Sequence, residues 1–226
     1  MLKLYRNNSS SGGIAPHYRV IFDESDAEKQ EQIRIGDFFM TYFTADLHLG
    51  HDNVIRFCNR PFETVLEMDE VLIANWNAVI KGNDDIYILG DLFYRNKESA
   101  EEAIKRLKGK KHLILGNHDK RWTKTVDLSK YFVEITNFLT YKCDGVKYTL
   151  CHYPMLSWPG RGNGGYMIHG HNHNNPLDYT DQYLLNAGVD INDYKPATFN
   201  ELIQNNERYK TQIGGSMNDI YHRRYS

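Results

Sequence analysis

The chain has 226 residues, of which 41% are hydrophobic and 25% charged, and its formal net charge is -2 at neutral pH. This composition suits one domain with a buried core. The near-neutral charge argues against a global positive field that would recruit nucleic acid, although it leaves a local basic patch open. Three cysteines without a CxxC pair argue against a disulfide framework and a thiolate zinc site, and they favour a reducing cytoplasm. No run approaches the roughly 20 apolar residues of a membrane span, so we expect no membrane partner.

The N-terminal part differs in character from the rest of the chain. Residues 7–13 are polar and glycine-rich, which predicts a loose segment, and residues 17–23 predict an extra edge strand. We therefore expect an N-terminal extension over 1–37, partly flexible, a main domain over 38–213 and a C-terminal tail over 214–226.

The first half of the main domain alternates between strand and helix patterns. It predicts strands over 39–44, 85–89 and 112–115, and helices over 64–81 and 99–107. Thr64 and Glu67 form a capping-box pattern at the start of the first helix. Such alternation is typical of a buried sheet with helices packed on it.

The second half is richer in strand patterns. Residues 137–142 and 147–152 flank Asp144 and Gly145, a strong hairpin signal, and further strands are predicted over 166–169 and 183–186. Thr198 and Glu201 form a capping pattern before a last helix. The whole predicts a mixed, layered α/β domain.

Chemical residues are concentrated where predicted strands run into polar loops. Five segments share this feature: TADLHLGH (44–51), LGD (89–91), LGNHD (115–119), CHYP (151–154) and IHGHNH (168–173). Each alone is a common pattern, but their joint occurrence at the ends of apolar runs is not. Side chains held at strand ends can converge at one edge of a sheet. Carboxylate, amide and imidazole donors without thiolate suit Mn, Fe, Zn or Ni.

The order D-x-H, G-D, G-N-H-D, H and G-H-x-H resembles the calcineurin-like metallophosphoesterase superfamily, over residues 39–203. The resemblance implies an α/β/β/α sandwich of two mixed β-sheets flanked by helices. It also implies two divalent transition-metal ions, with manganese first and iron, zinc or nickel as alternatives. Carried over to this chain, the first ion would bind Asp46, His48 and His171, the second Asn117, His152 and His169, and Asp91 would bridge them.

Two further roles follow from the resemblance. In such enzymes a hydroxide between the two ions attacks the phosphate ester, and ions about 3.5 to 4 Å apart can both generate this nucleophile and clamp the phosphoryl oxygens. His118 resembles the family's histidine that contacts the phosphate and can protonate the leaving oxygen. The alternative for His118 is a structural role. Asp119 either orients His118 or caps the turn.

The sequence also narrows the branch of the superfamily. Protein phosphatases carry G-D-x-x-D-R-G, whereas this chain reads GDLFYRN over 90–96, with Tyr94 in place of the second aspartate. The stretches 48–62 and 188–196 instead resemble the small bacterial and phage phosphoesterases. We therefore expect an enzyme that hydrolyses a small or nucleotide-like phosphodiester or phosphomonoester. The alternatives are a nuclease acting on DNA or RNA ends and a non-catalytic, metal-stabilised binding module.

Several polar residues near these segments remain ambiguous in the sequence. His51 and His173 are either supporting donors or surface histidines. Four arginines either bind substrate phosphate or form structural ion pairs: Arg56, Arg60, Arg95 and Arg161. Residues 155–165, rich in glycine, form either a mobile substrate loop or a connector.

Overall fold

The computed structural model describes residues 4–6, 18–20, 40–94, 100–143, 145–176 and 181–224. The chain divides into two compact units, Met1–Phe38 and Phe39–Ser226. In the first unit, β1 (Leu4–Arg6) pairs antiparallel with β2 (Tyr18–Val20). The segment 7–13, expected to be loose, lies outside the described residues.

The described residues of the second unit form nine strands and four helices. The strands are β3 (Thr41–Thr44), β4 (Asp85–Ile88), β5 (Lys110–Ile114), β6 (Phe132–Thr136), β7 (Phe138–Cys143), β8 (Val146–Cys151), β9 (Tyr166–His169), β10 (Leu184–Asn186) and β11 (Ala197–Thr198). The helices are α1 (Asp52–Phe57), α2 (Val65–Val79), α3 (Ala100–Arg106) and α4 (Phe199–Arg224). The alternating first half, the hairpin and the last helix are thus found as predicted.

The strands form two mixed sheets. In the larger sheet the order is β11-β3-β4-β5-β6, with β3 to β6 parallel and β11 antiparallel to β3. In the smaller sheet the order is β10-β9-β8-β7, and only the β7–β8 pair is antiparallel. Two mixed sheets with flanking helices confirm the fold class that the resemblance implies.

Side-chain alternation along the strands separates two cores. Ile86 and Ile88 of β4 face a core shared with α1, α2 and α3, whereas Leu89 faces a second core between the two sheets. Helix α4 contacts β3, β10 and β11, and its Leu202 enters the core between the sheets. Strands β3 to β6 run parallel, so the loops that follow them emerge at the same edge of the sheet.

Local capping sets where two helices begin. The Thr64 hydroxyl accepts a hydrogen bond from the backbone N–H of Glu67, and Thr198 and Glu201 form the reciprocal pair at the start of α4. Helix α4 continues to Arg224, so the segment 214–224 expected as a tail belongs to this helix. Within the described residues, no helix combines the length and apolar character needed to cross a membrane.

Candidate metal centre

The five chemical segments meet at the carboxyl-terminal edge of the strands. Backbone hydrogen bonds join them directly: Asp46 N–H donates to the Gly90 carbonyl (3.0 Å), His48 N–H to the Asp91 carbonyl (2.9 Å), and Gly170 N–H to the His152 carbonyl (3.0 Å). The first two bonds join the loops after β3 and β4 in the larger sheet, and the third joins the loops after β8 and β9 in the smaller one. The His171 N–H donates to the Asp46 carboxylate (2.8 Å), so both sheets contribute to the same site.

Asp46, His48 and His173 form one cluster, the first group. Each offers one ligand atom, and these atoms lie within 4.8 Å of one another. The His48 ring stacks on that of His173, with 5.0 Å between centroids. Burial raises the pKa of Asp46 to about 6, because the ionised carboxylate is separated from water. A cation at this position would favour the charged carboxylate.

His48 provides the clearest test of whether a metal ion fits here. It is 2% exposed, and neither ring nitrogen has a hydrogen-bond partner among the described residues. Burial lowers the pKa of His48 to about 2, so the ring is a neutral imidazole at physiological pH. Buried polar atoms are normally hydrogen-bonded, and neutral imidazole is the form that coordinates metals. The residues therefore fit a metal ion.

Asp91, Asn117, His152 and His171 form a second cluster, the second group. Asn117 Oδ1 lies 3.0 Å from His152 Nε2 and 3.1 Å from His171 Nδ1. His152 Nε2 lies 3.5 Å from Asp91 Oδ2. Ligand atoms about 2.1 Å from a shared ion are separated by roughly 3 to 3.5 Å at octahedral or tetrahedral angles. The spacing of these atoms therefore matches one coordination shell.

Asp91 connects the two groups. Its Oδ2 lies 3.5 Å from His152 Nε2 and also 3.5 Å from His48 Nε2. Burial opposes ionisation of Asp91, but the neighbouring His152 and the backbone N–H of His118 outweigh it and lower its pKa to about 2. The carboxylate is therefore negatively charged between the groups.

His169 is absent from the clusters of ligand atoms that lie within 4.8 Å of one another among the described residues. This residue is 2% exposed, and its Nδ1 bonds the carbonyl of Gly170 at 2.8 Å. His173, ambiguous in the sequence, occupies the first group instead, and His171 lies with Asn117 and His152 rather than with His48. The sequence contains a signal for this assignment. Read from Gly170, the motif G-H-x-H selects His171 and His173, whereas His169 and His171 have the glycine between them and form H-G-H.

Backbone strain is concentrated at this site. Five non-glycine residues of the two groups have positive φ, between 51° and 71°: Asp46, His48, Asp91, His171 and His173. Such conformations are each of order 1–3 kcal/mol unfavourable and persist where the surroundings enforce them, often at functional sites. Contacts with surrounding residues therefore hold the backbone of the site in conformations that these residue types seldom adopt.

Two glycines allow the loops to approach so closely. Gly90 has φ of 86°, and a Cβ there would lie 2.5 Å from His152 Nδ1. A Cβ on Gly116 would overlap the Asp91 carboxylate. Gly116 is needed for space rather than for a positive φ.

His118 lies beside the two groups and is accessible. Its backbone N–H donates to Asp91 Oδ1 (2.8 Å), and its Nε2 lies 4.0 Å from Asp91 Oδ2. The side chain is 36% exposed, and its ring meets those of His48 and Tyr94 edge-on. The imidazole therefore faces solvent next to the carboxylate that connects the groups.

Asp119 is buried and binds the loops rather than the His118 ring. Its carboxylate accepts hydrogen bonds from three backbone N–H groups, those of Gly116, Asp91 and Leu92, and from the Trp122 indole. This pattern supports the turn-capping interpretation of Asp119.

The arginines are not all alike. Arg60 is 4% exposed and enclosed. Arg161 pairs with Asp181 at 2.9 Å, and Arg56 bonds Asn53 on the surface. Arg95 lies outside the described residues. Loop 155–165 is anchored by Trp158, which packs against Met167 and Leu184.

The two-sheet α/β sandwich carries clustered carboxylate, amide and imidazole groups at its strand ends, a set of donors that fits divalent metal ions. The chain belongs to the calcineurin-like phosphoesterase family, whose profile matches residues 39–216. This membership confirms the resemblance read from the motifs.

The chain is similar to proteins from distant sources. It is 34% identical over 186 residues to the uncharacterized protein MJ1445 of Methanocaldococcus jannaschii, covering 79% of this chain and 97% of that protein. It is 29% identical to the gene 66 protein of Mycobacterium phage L5, covering 59% and 77%. The crystal structure of AQ665 from Aquifex aeolicus, a protein of unknown function, matches with a TM-score of 0.57 and 26% identity, covering 74% of this chain and 99% of that one.

Proposed function

We propose that the protein hydrolyses a small or nucleotide-like phosphodiester or phosphomonoester with two divalent transition-metal ions, manganese first and iron, zinc or nickel as alternatives. The observation that carries the proposal is the His48 ring, buried and without a hydrogen-bond partner among the described residues, facing a carboxylate that also faces the second group. A cytoplasmic location is part of the same proposal and rests on the cysteine usage of the sequence.

The geometry favours a revised set of ligands. Asp46, His48 and His173 would hold one ion, Asn117, His152 and His171 the other, and Asp91 would serve both. When bound, such a pair supplies an activated water and positive charge for the phosphoryl oxygens. His169 is left out because it lies in neither group.

His118 would act as the proton donor to the leaving oxygen. Its backbone bond to Asp91 fixes the residue next to the proposed ions, while its exposed ring remains outside both groups. A donor must be within hydrogen-bond reach of the departing oxygen, and an accessible imidazole beside the centre satisfies this requirement.

Two exposed aromatic rings support a nucleotide-like substrate. Phe57 is 71% exposed and its ring centroid lies 6.4 Å from that of His51; Tyr153 is 46% exposed and lies 4.7 Å from His171. Aromatic side chains of this kind stack on bases without needing a specific sequence.

The ion count of purified protein tests the proposal. Metal-stripped protein reconstituted with manganese should bind two ions per chain by elemental analysis, and chelation should abolish hydrolysis of a phosphodiester. Full activity without metal, or a maximal rate at one ion, would contradict the two-ion mechanism.

His173→Gln and His169→Gln form a matched pair that tests the revised ligands. The two residues lie in the same segment, yet only His173 belongs to a group. We expect His173→Gln to bind one ion and His169→Gln to bind two, with circular dichroism verifying that both fold. The reverse result would restore His169 as the ligand.

A further inference from the structure

Arg60 is a buried cation with no donor to spare. Its guanidinium offers five N–H groups. They are directed to Asp190 Oδ1 and Oδ2, to the carbonyls of Asp46 and Leu47, and to the Met68 sulfur, at 2.7–3.3 Å. With its side chain enclosed and its donors occupied, Arg60 is not available to bind a substrate phosphate.

The partner of Arg60 reaches the first group directly. The side chains of Asp190 and Arg60 are both buried, and Asp190 Oδ2 also accepts a hydrogen bond from His173 Nδ1 at 2.8 Å. A histidine that donates through Nδ1 keeps Nε2 as the nitrogen able to bind a metal ion. Asp190 therefore selects both the tautomer and the orientation of the His173 ring.

The same guanidinium holds the other side of the first group. It bonds the carbonyls of Asp46 at 2.7 Å and Leu47 at 2.9 Å, the two peptide groups between the Asp46 and His48 side chains. Both Asp46 and His48 have positive φ, 58° and 53°, so this stretch needs an external restraint. Arg60 supplies that restraint from a point 14 residues away in sequence.

Asp190 and His173 also lie close to the Cys58 thiol, in a cluster of metal-binding side chains. Both Asp190 oxygens, however, already accept hydrogen bonds from Arg60. A guanidinium in this position opposes a second cation on the same carboxylate. The cluster is therefore better explained as support for His173 than as another metal site.

We propose that Arg60 and Asp190 are positioning residues for the first ion: the pair sets the tautomer of His173 and the strained backbone between Asp46 and His48. The inference rests on the proposed function and adds two residues that contact neither substrate nor ion. It predicts that loss of the pair lowers the affinity for the first ion and leaves that for the second unchanged.

Titration of metal-stripped protein with manganese tests the pair. Asp190→Asn removes the charge that orients His173, and Arg60→Lys keeps a cation but cannot reach all five acceptors. Loss of an orienting partner typically weakens metal binding by about 10–100-fold. We expect that loss for one ion, with the other bound as in the wild type. If both variants bound both ions with wild-type affinity, the inference would be overturned.

A surface ion pair supplies the control. Arg106 binds Glu70 through two nitrogens, at 2.8 and 2.6 Å, with both side chains largely exposed. Glu70→Gln and Arg106→Lys change the same chemistry away from the two groups and should leave both affinities unchanged. A wild type that binds no ion would overturn the proposed function itself, which separates the two failures.

Two measurements distinguish positioning from a purely structural role. In a His173→Gln background, which should bind one ion, Asp190→Asn should leave the affinity for that remaining ion unchanged; a loss of the remaining ion would show that Asp190 supports the fold in general rather than the first ion. The second needs no variant: nitrogen-15 spectra of zinc-loaded wild type should show His173 protonated at Nδ1 and coordinated through Nε2. Coordination through Nδ1 would overturn the proposal even if both variants failed to fold.

Discussion

The two groups are supported in different ways. The first group depends on a side-chain ion pair, Arg60 with Asp190, whose members lie 130 residues apart. The second depends on the backbone: His152 Nδ1 bonds the Leu89 carbonyl at 2.8 Å, and Asp119 draws together the N–H groups of the loops after β4 and β5.

The difference is clearest at two loops of the larger sheet and at His173. Asp91 and Asn117 follow adjacent parallel strands, β4 and β5, so their loops are neighbours already and one carboxylate can cap both. Histidines that follow strands of the smaller sheet contribute to both groups, His152 and His171 to the second and His173 to the first. Among these three, the His173 ring is the one held by a buried carboxylate that is itself paired with a planar guanidinium.

Asp91→Asn should have the largest effect, because Asp91 belongs to both sides of the comparison. The change withdraws a negative charge from between two proposed dications, whereas replacing Asn117 or His171 opens one coordination position. We expect loss of both ions by elemental analysis and a rate loss above about 10³-fold, since even one charge-stabilising donor can be worth that much. Two retained ions with near-normal turnover would show that Asp91 does not bridge.

His118→Ala should leave both groups intact and affect the chemistry alone. General acid catalysis is worth about 10²–10⁴ in rate, and more for basic leaving groups. An alkyl or ribose phosphate ester should therefore slow severely, while a nitrophenyl ester, whose leaving group needs little protonation, should slow less. Both substrates are measured on one preparation whose ion content has been verified.

Other outcomes for His118 have definite meanings. Equal losses on both esters would indicate that the imidazole binds the phosphate or stabilises charge. A lost ion would instead make His118 a ligand or a support for one, and the acid role would be withdrawn.

The sequence predicted the fold well because its signals are local. Capping by Thr64 and Thr198 and the alternation of Ile86, Ile88 and Leu89 depend on residues a few positions apart. The edge at which the polar loops gather follows from the parallel strands. These features could be predicted before any coordinates were known.

The supports of the site could not be predicted in the same way. Nothing local to Arg60 distinguishes a buried cation from a phosphate-binding one, since its partners are a carboxylate 130 residues away and two carbonyls. The choice between His169 and His173 likewise depends on which ring faces the larger sheet. The spacing G-H-x-H favours His173, but its contact with Asp190 is what identifies its role.

Asp119→Asn tests the support of the second group and should have the smallest effect on rate. Four N–H donors converge on the Asp119 carboxylate, at 2.7–3.1 Å. An asparagine offers one oxygen and turns its own N–H groups toward the remaining donors. Hydrogen bonds to charged groups contribute about 1.5–3 kcal/mol each, so we expect the free energy of unfolding to fall by about 3 kcal/mol in urea titrations.

Asp119→Asn should also lower the affinity of the second group for its ion, because Asp119 holds the backbone of Gly116 and Asp91 together. We expect the affinity for the second ion to fall by about 10-fold, which is the low end of the range for loss of a residue that orients a metal ligand. Asp127→Asn, at an exposed carboxylate of the same region, is the control and should change neither quantity. Reduced stability with unchanged ion affinity would limit Asp119 to capping its turn. Because Asp91 belongs to both proposed ion sites, a smaller loss at the first ion is also expected. An equal loss at both ions would instead mean that the two groups share one support, and the contrast between ion pair and backbone would fail.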